Sequence, residues 1–224
     1  MKKFVSLALI IFVLISAVSV FAAEPEKSQL DELKKFGIMT GDPDGNLRLN
    51  DTITRAEAVK MIIAVQGREK DTDLDMEKSE FPDVWETHWA KFYINMAKRI
   101  GIVEGDENGN FNPESEVTNE ELVKMIVCLL GYAPMADTVG GYPGGYITTA
   151  TKIGVTEGLT LELNTPATRG DVAIMFSNSL EIPLMVQTVW SATGSEDYEY
   201  KILDGNNGER KATIKSEYLG ITEE

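Results

Sequence analysis

Apolar residues recur at helical spacing in several segments of the chain. In one segment the intervals are three and four residues, and a glycine ends the pattern. The residues are Trp89, Phe92, Tyr93, Met96, Ile100 and Gly101. This spacing places side chains on one face of a helix, and a glycine after the last periodic position is typical of a helix end. We therefore predict a helix that ends at Gly101 and whose apolar face, Trp89 included, lies in a core.

A second segment is apolar on nearly every side. Its apolar residues are Leu122, Val123, Met125, Ile126, Val127, Leu129 and Leu130. A helix without a polar face has no surface for solvent, so this helix is predicted to lie at the centre of the fold. Shorter stripes predict two further helices of the same kind. They run through Ala58, Met61, Ile62 and Val65, and through Val172, Met175 and Phe176.

One repeated pattern precedes each of these last three helices. It reads GIMTGDPDGNLRLNDTITRAE at 37–57 and GIVEGDENGNFNPESEVTNEE at 101–121, an ungapped offset of 64 residues. A shorter third copy is GVTEGLTLELNTPATRGD at 154–171. Repeats of this kind indicate copies of one supersecondary unit that bury their apolar faces against one another. Three copies therefore predict one assembled array.

Each copy ends in a four-residue box in which a threonine stands three residues before an acid. The pairs are Thr54 and Glu57, Thr118 and Glu121, and Thr168 and Asp171. This is the spacing of a capping box, in which the hydroxyl and the carboxylate satisfy free amides at the start of a helix. Each cap is expected to contribute about 1 kcal/mol.

The residue after each threonine is not explained by capping. It is Arg55, Asn119 and Arg169 in the three boxes. A cation at the positive end of a helix dipole is mildly unfavourable, so we expect the two arginines to bind a ligand. A guanidinium group matches a carboxylate with two parallel hydrogen bonds, which an asparagine cannot do.

The boxes, the preceding GI and GD turns, and FPDVWETHWAKFYINMAKRIGI at the start of the second copy resemble the S-layer homology family. The resemblance spans about residues 29–185. It implies a mainly α fold, with three helix-loop-helix units in a pseudo-threefold arrangement around a central helical bundle. It also implies grooves between units that bind secondary cell-wall polysaccharide, often pyruvylated, to which bacterial surface proteins attach non-covalently.

The resemblance carries glycan binding onto particular residues. They are Arg55, Arg169, Glu57, Gly41, Asp42, Gly105 and Asp106. The first unit lacks the FxDV opening, the second has Asn119 in place of the arginine, and the third lacks the Gly-Asp loop. The resemblance therefore implies glycan binding first at the box of the first unit and next at that of the third.

The same patterns divide the chain. We predict a signal peptide at 1–22, units at 23–66, 81–132 and 141–186, linkers at 67–80 and 133–140, and a C-terminal extension at 187–224. Two lysines, an apolar run and small residues predict cleavage near Ala22, although the run would also suit an uncleaved membrane anchor. In the extension, YEYKI, GNNG and ATIKSEYL predict a small β-hairpin. The end at Glu224 fits a stand-alone anchor or a truncated product.

Acidic residues dominate the composition. The chain has 36 Asp and Glu against 21 Lys and Arg, a formal net charge of −15, and removal of Lys2 and Lys3 brings it near −17. This charge argues against nucleic acid as a partner. An anionic glycan would also be repelled at long range, so it requires a local basic site.

Few residues suggest a catalytic or a metal-binding site. Cys128 lies in an apolar helix and is expected to be a buried thiol, while His88 is expected to cap or pack rather than to catalyse. The acidic loops at 42–46 and 106–110 could suggest calcium, but the sixth and twelfth positions counted from Asp42 are Leu47 and Ile53 rather than Gly and Glu. Turn chemistry accounts for them better. We predict no metal, cofactor or catalytic residue, although the many acids leave a carboxylate-pair glycosidase open.

The sequence thus favours a non-catalytic module at the surface of a bacterium that binds wall polysaccharide. The alternative is a structural subunit of an S-layer or envelope that acts through contacts with other surface-layer proteins. A wall-active hydrolase is the third hypothesis.

Overall fold

The computed structural model describes residues 24–68, 78–188, 199–206 and 210–221. The fold is mainly helical with one small antiparallel pair of strands, as predicted. The helices are α1 Lys27–Lys35, α2 Arg55–Val65, α3 Lys91–Arg99, α4 Asn119–Leu129, α5 Ala133–Thr138, α6 Gly144–Ile153, α7 Arg169–Ser179 and α8 Ile214–Glu217, and the strands are β1 Met185–Gln187 and β2 Tyr200–Ile202. The predicted signal peptide lies outside the described residues, as does most of the first linker.

Helices α2, α4 and α7 each begin directly after the threonine of a box. In α2 the Glu57 amide donates to Thr54 Oγ1 at 3.2 Å, and the Thr54 amide donates to Glu57 Oε2 at 2.8 Å. The boxes of α4 and α7 form the same reciprocal pair of bonds. These bonds satisfy amides that the first turn of a helix leaves without an intrahelical partner.

Helix α4 lies at the centre of the array. It packs against α2, α5, α6 and α7. The side chains of Leu122, Val123, Ile126 and Val127 are inaccessible to solvent. The prediction that this all-apolar helix is central is therefore confirmed.

Backbone hydrogen bonds join the three units in a closed ring. The Ile53 amide donates to the Ala167 carbonyl at 3.3 Å, Ala167 donates to Val117 at 2.9 Å, and Val117 donates back to Ile53 at 3.0 Å. All three residues are buried and stand directly before a box threonine. The three box helices consequently start from one junction. The ring joins the units cyclically, while the pseudo-threefold axis stays a prediction.

Two sequence predictions around the helices were wrong. Trp89 is 53% exposed because α3 begins only at Lys91, so the helical spacing does not extend to it. Phe92 and Met96, within the helix, are buried as predicted. The linker predicted at 133–140 contains the short helix α5.

The C-terminal extension forms part of the predicted hairpin, because Asp204 and Lys211, on either side of GNNG, make an antiparallel bridge. Strand β2, within YEYKI, pairs antiparallel with β1, where Met185 lies opposite Ile202. The ATIKSEYL segment, predicted as a strand, contains helix α8, because Thr213 accepts a hydrogen bond from the Ser216 amide and caps it. The Ala212 amide also donates to the Leu203 carbonyl at 2.9 Å, so the extension is folded on itself as well as tied to the end of the third unit.

Strand β1 also packs closely on the second unit. The Met185 amide donates to the Leu130 carbonyl at 3.0 Å. A Cβ atom added to Gly131, which has a φ of +85°, would lie 2.0 Å from the Met185 carbonyl oxygen. Only glycine fits this crossing. No helix within the described ranges is both long enough and apolar enough to span a bilayer.

Candidate functional site

Two cavities occupy equivalent places between units. Groove A, of about 320 Å³, joins Arg55 of the first unit to the loop and helix of the second. Groove B, of about 240 Å³, joins Arg169 of the third unit to the loop and helix of the first. Residues at the offset of 64 line both grooves. The pairs are Gly41 and Gly105, Asp42 and Asp106, Glu57 and Glu121, Lys60 and Lys124, and Met61 and Met125. The seven predicted glycan-binding residues therefore all line one of these two grooves.

In groove A the guanidinium group of Arg55 already has protein partners. Its Nε donates to the Phe111 carbonyl at 2.9 Å, and its Nη1 lies 2.7 Å from Glu121 Oε1. The group also lies over the Phe111 ring, 4.9 Å from the centroid. Arg55 is thus held by the second unit and paired with an acid there.

In groove B the guanidinium group of Arg169 is bound only by backbone carbonyls. Its Nε donates to Leu47 at 2.7 Å and its Nη2 donates to Thr40 at 3.0 Å. The side chain is buried, and no carboxylate of the described residues lies within salt-bridge distance of it. A guanidinium group has five N–H donors, so three of those of Arg169 are not used by these two bonds.

Asn119 makes the corresponding tie at the third junction. Its Nδ2 donates to the Glu162 carbonyl and to Thr165 Oγ1, both at 3.0 Å. Asn119 and both arginines therefore bind the loop of the next unit around the ring. This structural role could not be predicted from the sequence, because the partners are mostly backbone carbonyls far away in the sequence.

The Gly-Asp loops are organised by turn hydrogen bonds. Asp42 Oδ1 accepts from the amides of Asp44 and Asn46, and Asp106 Oδ1 accepts in the same way from those of Asn108 and Asn110. The side chain of Asn112 donates to Asp106 Oδ2, and this bond and the Asn110 amide hold the pKa of Asp106 below its usual value. Turn chemistry is therefore confirmed as the account of these loops.

The glycines of these loops are required by close packing. A Cβ atom at Gly41 would lie 2.8 Å from the Gly45 carbonyl carbon, and one at Gly105 would lie 3.0 Å from that of Gly109. Both loops thus fold tightly enough to present their aspartates at the groove wall.

The two grooves differ in charge. Groove A contains two basic and four acidic residues, which are Arg55, Lys124, Glu104, Asp106, Glu116 and Glu121. Groove B contains three basic and two acidic residues, which are Arg48, Lys60, Arg169, Asp42 and Glu57. Groove B is therefore the more favourable of the two for an anion.

Each groove also contains a lysine and an aromatic ring that were not predicted as binding residues. Lys60 and Lys124 stand five residues after Arg55 and Asn119, and their spacing of 64 was a signal that could have identified them. Tyr142 lines groove A, where Lys124 Nζ lies 5.5 Å from its ring centroid. Trp89 lines groove B. Exposed rings beside polar groups are typical of sites that fix a ligand by a few directed contacts.

Cys128 and His88 lie in structural surroundings. Burial raises the pKa of the Cys128 thiol to about 11, so it is protonated at neutral pH. His88 Nε2 lies 3.0 Å from Glu114 Oε1, and its Nδ1 accepts from the Ala90 amide at 3.1 Å. Within the part of the chain that the structure describes, no three His, Cys, Asp or Glu side chains are grouped so as to hold a metal ion.

Two segments of the chain match a known domain family. Residues 29–59 and 80–123 match the family model of the S-layer homology domain. The first two units carry S-layer homology domain segments. The third unit lies outside the matched segments, and its inclusion as a unit rests on its capping box and on the backbone ring.

Relatives of this chain are named as surface and wall proteins. It is 31% identical over 200 residues to the middle cell wall protein of Brevibacillus brevis, covering 89% of this chain and 18% of the relative. It is 30% identical over 162 residues to a cell surface protein of Thermoanaerobacter kivui, covering 72% and 21%. It is 28% identical over 193 residues to a surface layer protein of Brevibacillus choshinensis, covering 85% and 16%. The chain thus spans about a fifth of the length of these relatives.

Proposed function

We propose that this chain is a non-catalytic anchoring module that binds a pyruvylated secondary cell-wall polysaccharide in grooves A and B. The S-layer homology segments and the relatives named as surface and wall proteins support a place at the cell surface and in the cell wall, and a role in anchoring there. The observation that carries the finer proposal is the equivalence of the two grooves. In both, an arginine from one unit meets the Gly-Asp loop and a lysine of the next.

Groove B is the stronger of the two sites in this proposal. A pyruvyl ketal carries a carboxylate, which is the natural partner of a guanidinium group. Arg169 is held in place by two carbonyls and keeps further N–H donors for such a ligand. Lys60 and Arg48 add positive charge at the same groove. Because Arg169 is already fixed by the fold, little ordering of its side chain opposes binding.

Groove A is the weaker site. A carboxylate that enters it must compete with Glu121 for Arg55 and must approach Glu104 and Glu116. Repulsion between these glutamates and the carboxylate of the ligand opposes binding. Binding in groove A therefore depends more on Lys124 and on contacts with the neutral parts of the sugar. The order of the two grooves is thus the reverse of the order that the sequence suggested.

Co-sedimentation with purified sacculi of the source bacterium tests the proposal. We expect the wild-type chain to bind untreated sacculi and to bind poorly to sacculi from which the pyruvyl groups have been removed. The Lys60→Ala variant should bind more weakly, whereas Lys152→Ala, an exposed lysine on α6 outside both grooves, should bind like the wild type. Unchanged binding by the double variant Arg55→Ala, Arg169→Ala would contradict the assignment of the arginines.

A further inference from the structure

A third cavity adjoins groove A. It has a volume of about 410 Å³ and is called here the Trp85 cavity. Its walls are formed by the loop before α3 and by the segment before the second box, and they consist of Asp83, Trp85, His88, Asn112, Pro113, Glu114 and Ser115. Asn112 and Ser115 also line groove A. The two cavities therefore meet at this pair of exposed residues.

The walls of the Trp85 cavity are fixed by hydrogen bonds. Asp83 accepts from the Phe111 amide at 2.9 Å and from the Asn112 amide at 2.6 Å, which clamps the two segments together. The His88 amide donates to the Trp85 carbonyl at 2.8 Å, and the His88 ring contacts Glu114 on the other wall. A cavity held from both sides in this way is already formed before a ligand arrives.

Trp85 is the feature that folding does not explain. Its side chain is 78% exposed, although the neighbouring Phe81 and Val84 supply the buried contacts of the same loop. Removing a large ring from water is favourable, so an exposed tryptophan at the rim of a formed cavity marks a surface suited to a partner. The flat ring face suits the C–H face of a sugar, while Asn112 and Ser115 can exchange hydrogen bonds with hydroxyl groups.

The charges of the cavity distinguish its ligand from that of the grooves. Asp83 and Glu114 are its charged wall residues, apart from any charge on His88. A carboxylated sugar would be repelled there, whereas a neutral pyranose would lose nothing. The cavity meets groove A at Asn112 and Ser115. A neutral sugar in the cavity would therefore be the neighbour, along the polysaccharide, of the sugar that groove A holds.

We infer that the Trp85 cavity is a second sugar subsite, in which Trp85 stacks on a neutral internal residue of the polysaccharide whose charged sugar occupies groove A. The inference rests on the proposed function and extends it from a single sugar to a stretch of polymer. The His88 ring on the cavity wall also stacks on that of Trp89, which lines groove B, with 5.8 Å between the ring centroids.

Titration calorimetry with two probes tests the subsite. The probes are the pyruvylated monosaccharide and oligosaccharides of at least one full repeat, both released from the sacculi of the source bacterium. In the mature chain, Trp85→Ala should weaken binding of the oligosaccharide about fivefold and leave that of the monosaccharide unchanged. Trp85→Phe should restore most of the loss, and Tyr200→Ala, which removes a 41% exposed ring on β2, should change neither affinity.

The outcomes separate the subsite from the anchoring function. If Trp85→Ala weakens both probes equally, or changes neither, the subsite is wrong while wild-type binding still supports the function. If the wild-type chain binds neither probe, the proposed function is wrong and the subsite is overturned with it. A thermal melt of each variant confirms that the fold is kept, as expected for a side chain with so few buried contacts.

Discussion

Arg55 Nη1 and Glu121 Oε1 lie 2.7 Å apart across the boundary between the first and second units. Arg169, at the equivalent position of groove B, has no such partner among the described residues. One ion pair therefore separates two grooves that the repeat pattern makes look alike. It also gives the acid of the second box two roles, since Glu121 Oε2 accepts from the Thr118 amide as part of the cap.

Glu121→Gln should strengthen carboxylate binding in groove A. Glutamine still completes a capping box, so the helix start is kept while the charge opposite Arg55 is removed. Because a partly exposed ion pair is worth about 1 kcal/mol or less, we expect a gain of about fivefold or less in affinity for the pyruvylated monosaccharide by calorimetry. Glu157→Gln makes the same change of charge outside the grooves and should show no gain. A gain that persists when Arg55→Ala is added would contradict the explanation.

Arg169→Ala should destabilise the fold as well as weaken binding. The Leu47 carbonyl, on a buried residue, would lose a charge-assisted hydrogen bond, and such a bond is worth about 1.5–3 kcal/mol. We expect the free energy of unfolding in urea to fall by about 2 kcal/mol. Arg48→Ala in the same groove removes only an exposed ion pair with Asp51, so its effect should stay below about 0.5 kcal/mol. Equal losses in the two variants would argue against the structural role of Arg169.

Cys128 should react slowly with iodoacetamide in the folded chain. Burial raises its pKa to about 11, so at pH 8 only about one molecule in a thousand carries the thiolate. The rate should rise about tenfold per pH unit up to about pH 10, whereas the urea-unfolded chain should react quickly and level off near its ordinary pKa. Since the folded thiol keeps its proton while the unfolded one loses it, stability should fall as the pH rises from about 9 to 11. Cys128→Ala should remove that part of the pH dependence.

Gly131→Ala should release the C-terminal extension from the second unit. The added Cβ atom would collide with the carbonyl oxygen of Met185, the residue of β1 whose amide bonds the second unit at Leu130. Gly141→Ala is the matched control, because Gly141 also has a positive φ but has nothing within 4 Å of the added atom. We expect limited proteolysis to cut Gly131→Ala faster than Gly141→Ala within residues 187–224. Similar cleavage rates would show that backbone strain, and not the contact, decides the result.

The sequence predicted those parts of the fold that depend on neighbouring residues. Capping boxes such as that of Thr54 and Glu57 follow from a spacing of three residues, and the central place of α4 follows from apolar residues on all its sides. Trp89 was misassigned because helical spacing alone does not show where a helix begins. The segment around Ile214 was predicted as a strand of the hairpin, and the cap at Thr213 that starts α8 was not considered.

The predicted binding residues line grooves A and B, but their contacts could not be read from the sequence. Arg169 binds the carbonyl of Leu47, 122 residues earlier in the chain. A backbone carbonyl leaves no signature in the residue type, so neither this bond nor the equivalent one of Arg55 was predictable. The charge of each groove depends on which two units form it. The ring of backbone hydrogen bonds decides which units are neighbours, and no single repeat reveals this.

The ring formed by Ile53, Val117 and Ala167 also determines when groove B can form during synthesis of the chain. Chains emerge from synthesis with the N-terminal end first, and contacts between distant segments form only when both segments are present. Groove B needs its loop from the first unit and its arginine from the last, so it cannot exist until the third box has been made. A partly made chain would thus have no complete groove B, and the anchoring proposed for that groove would require the last unit to close the ring.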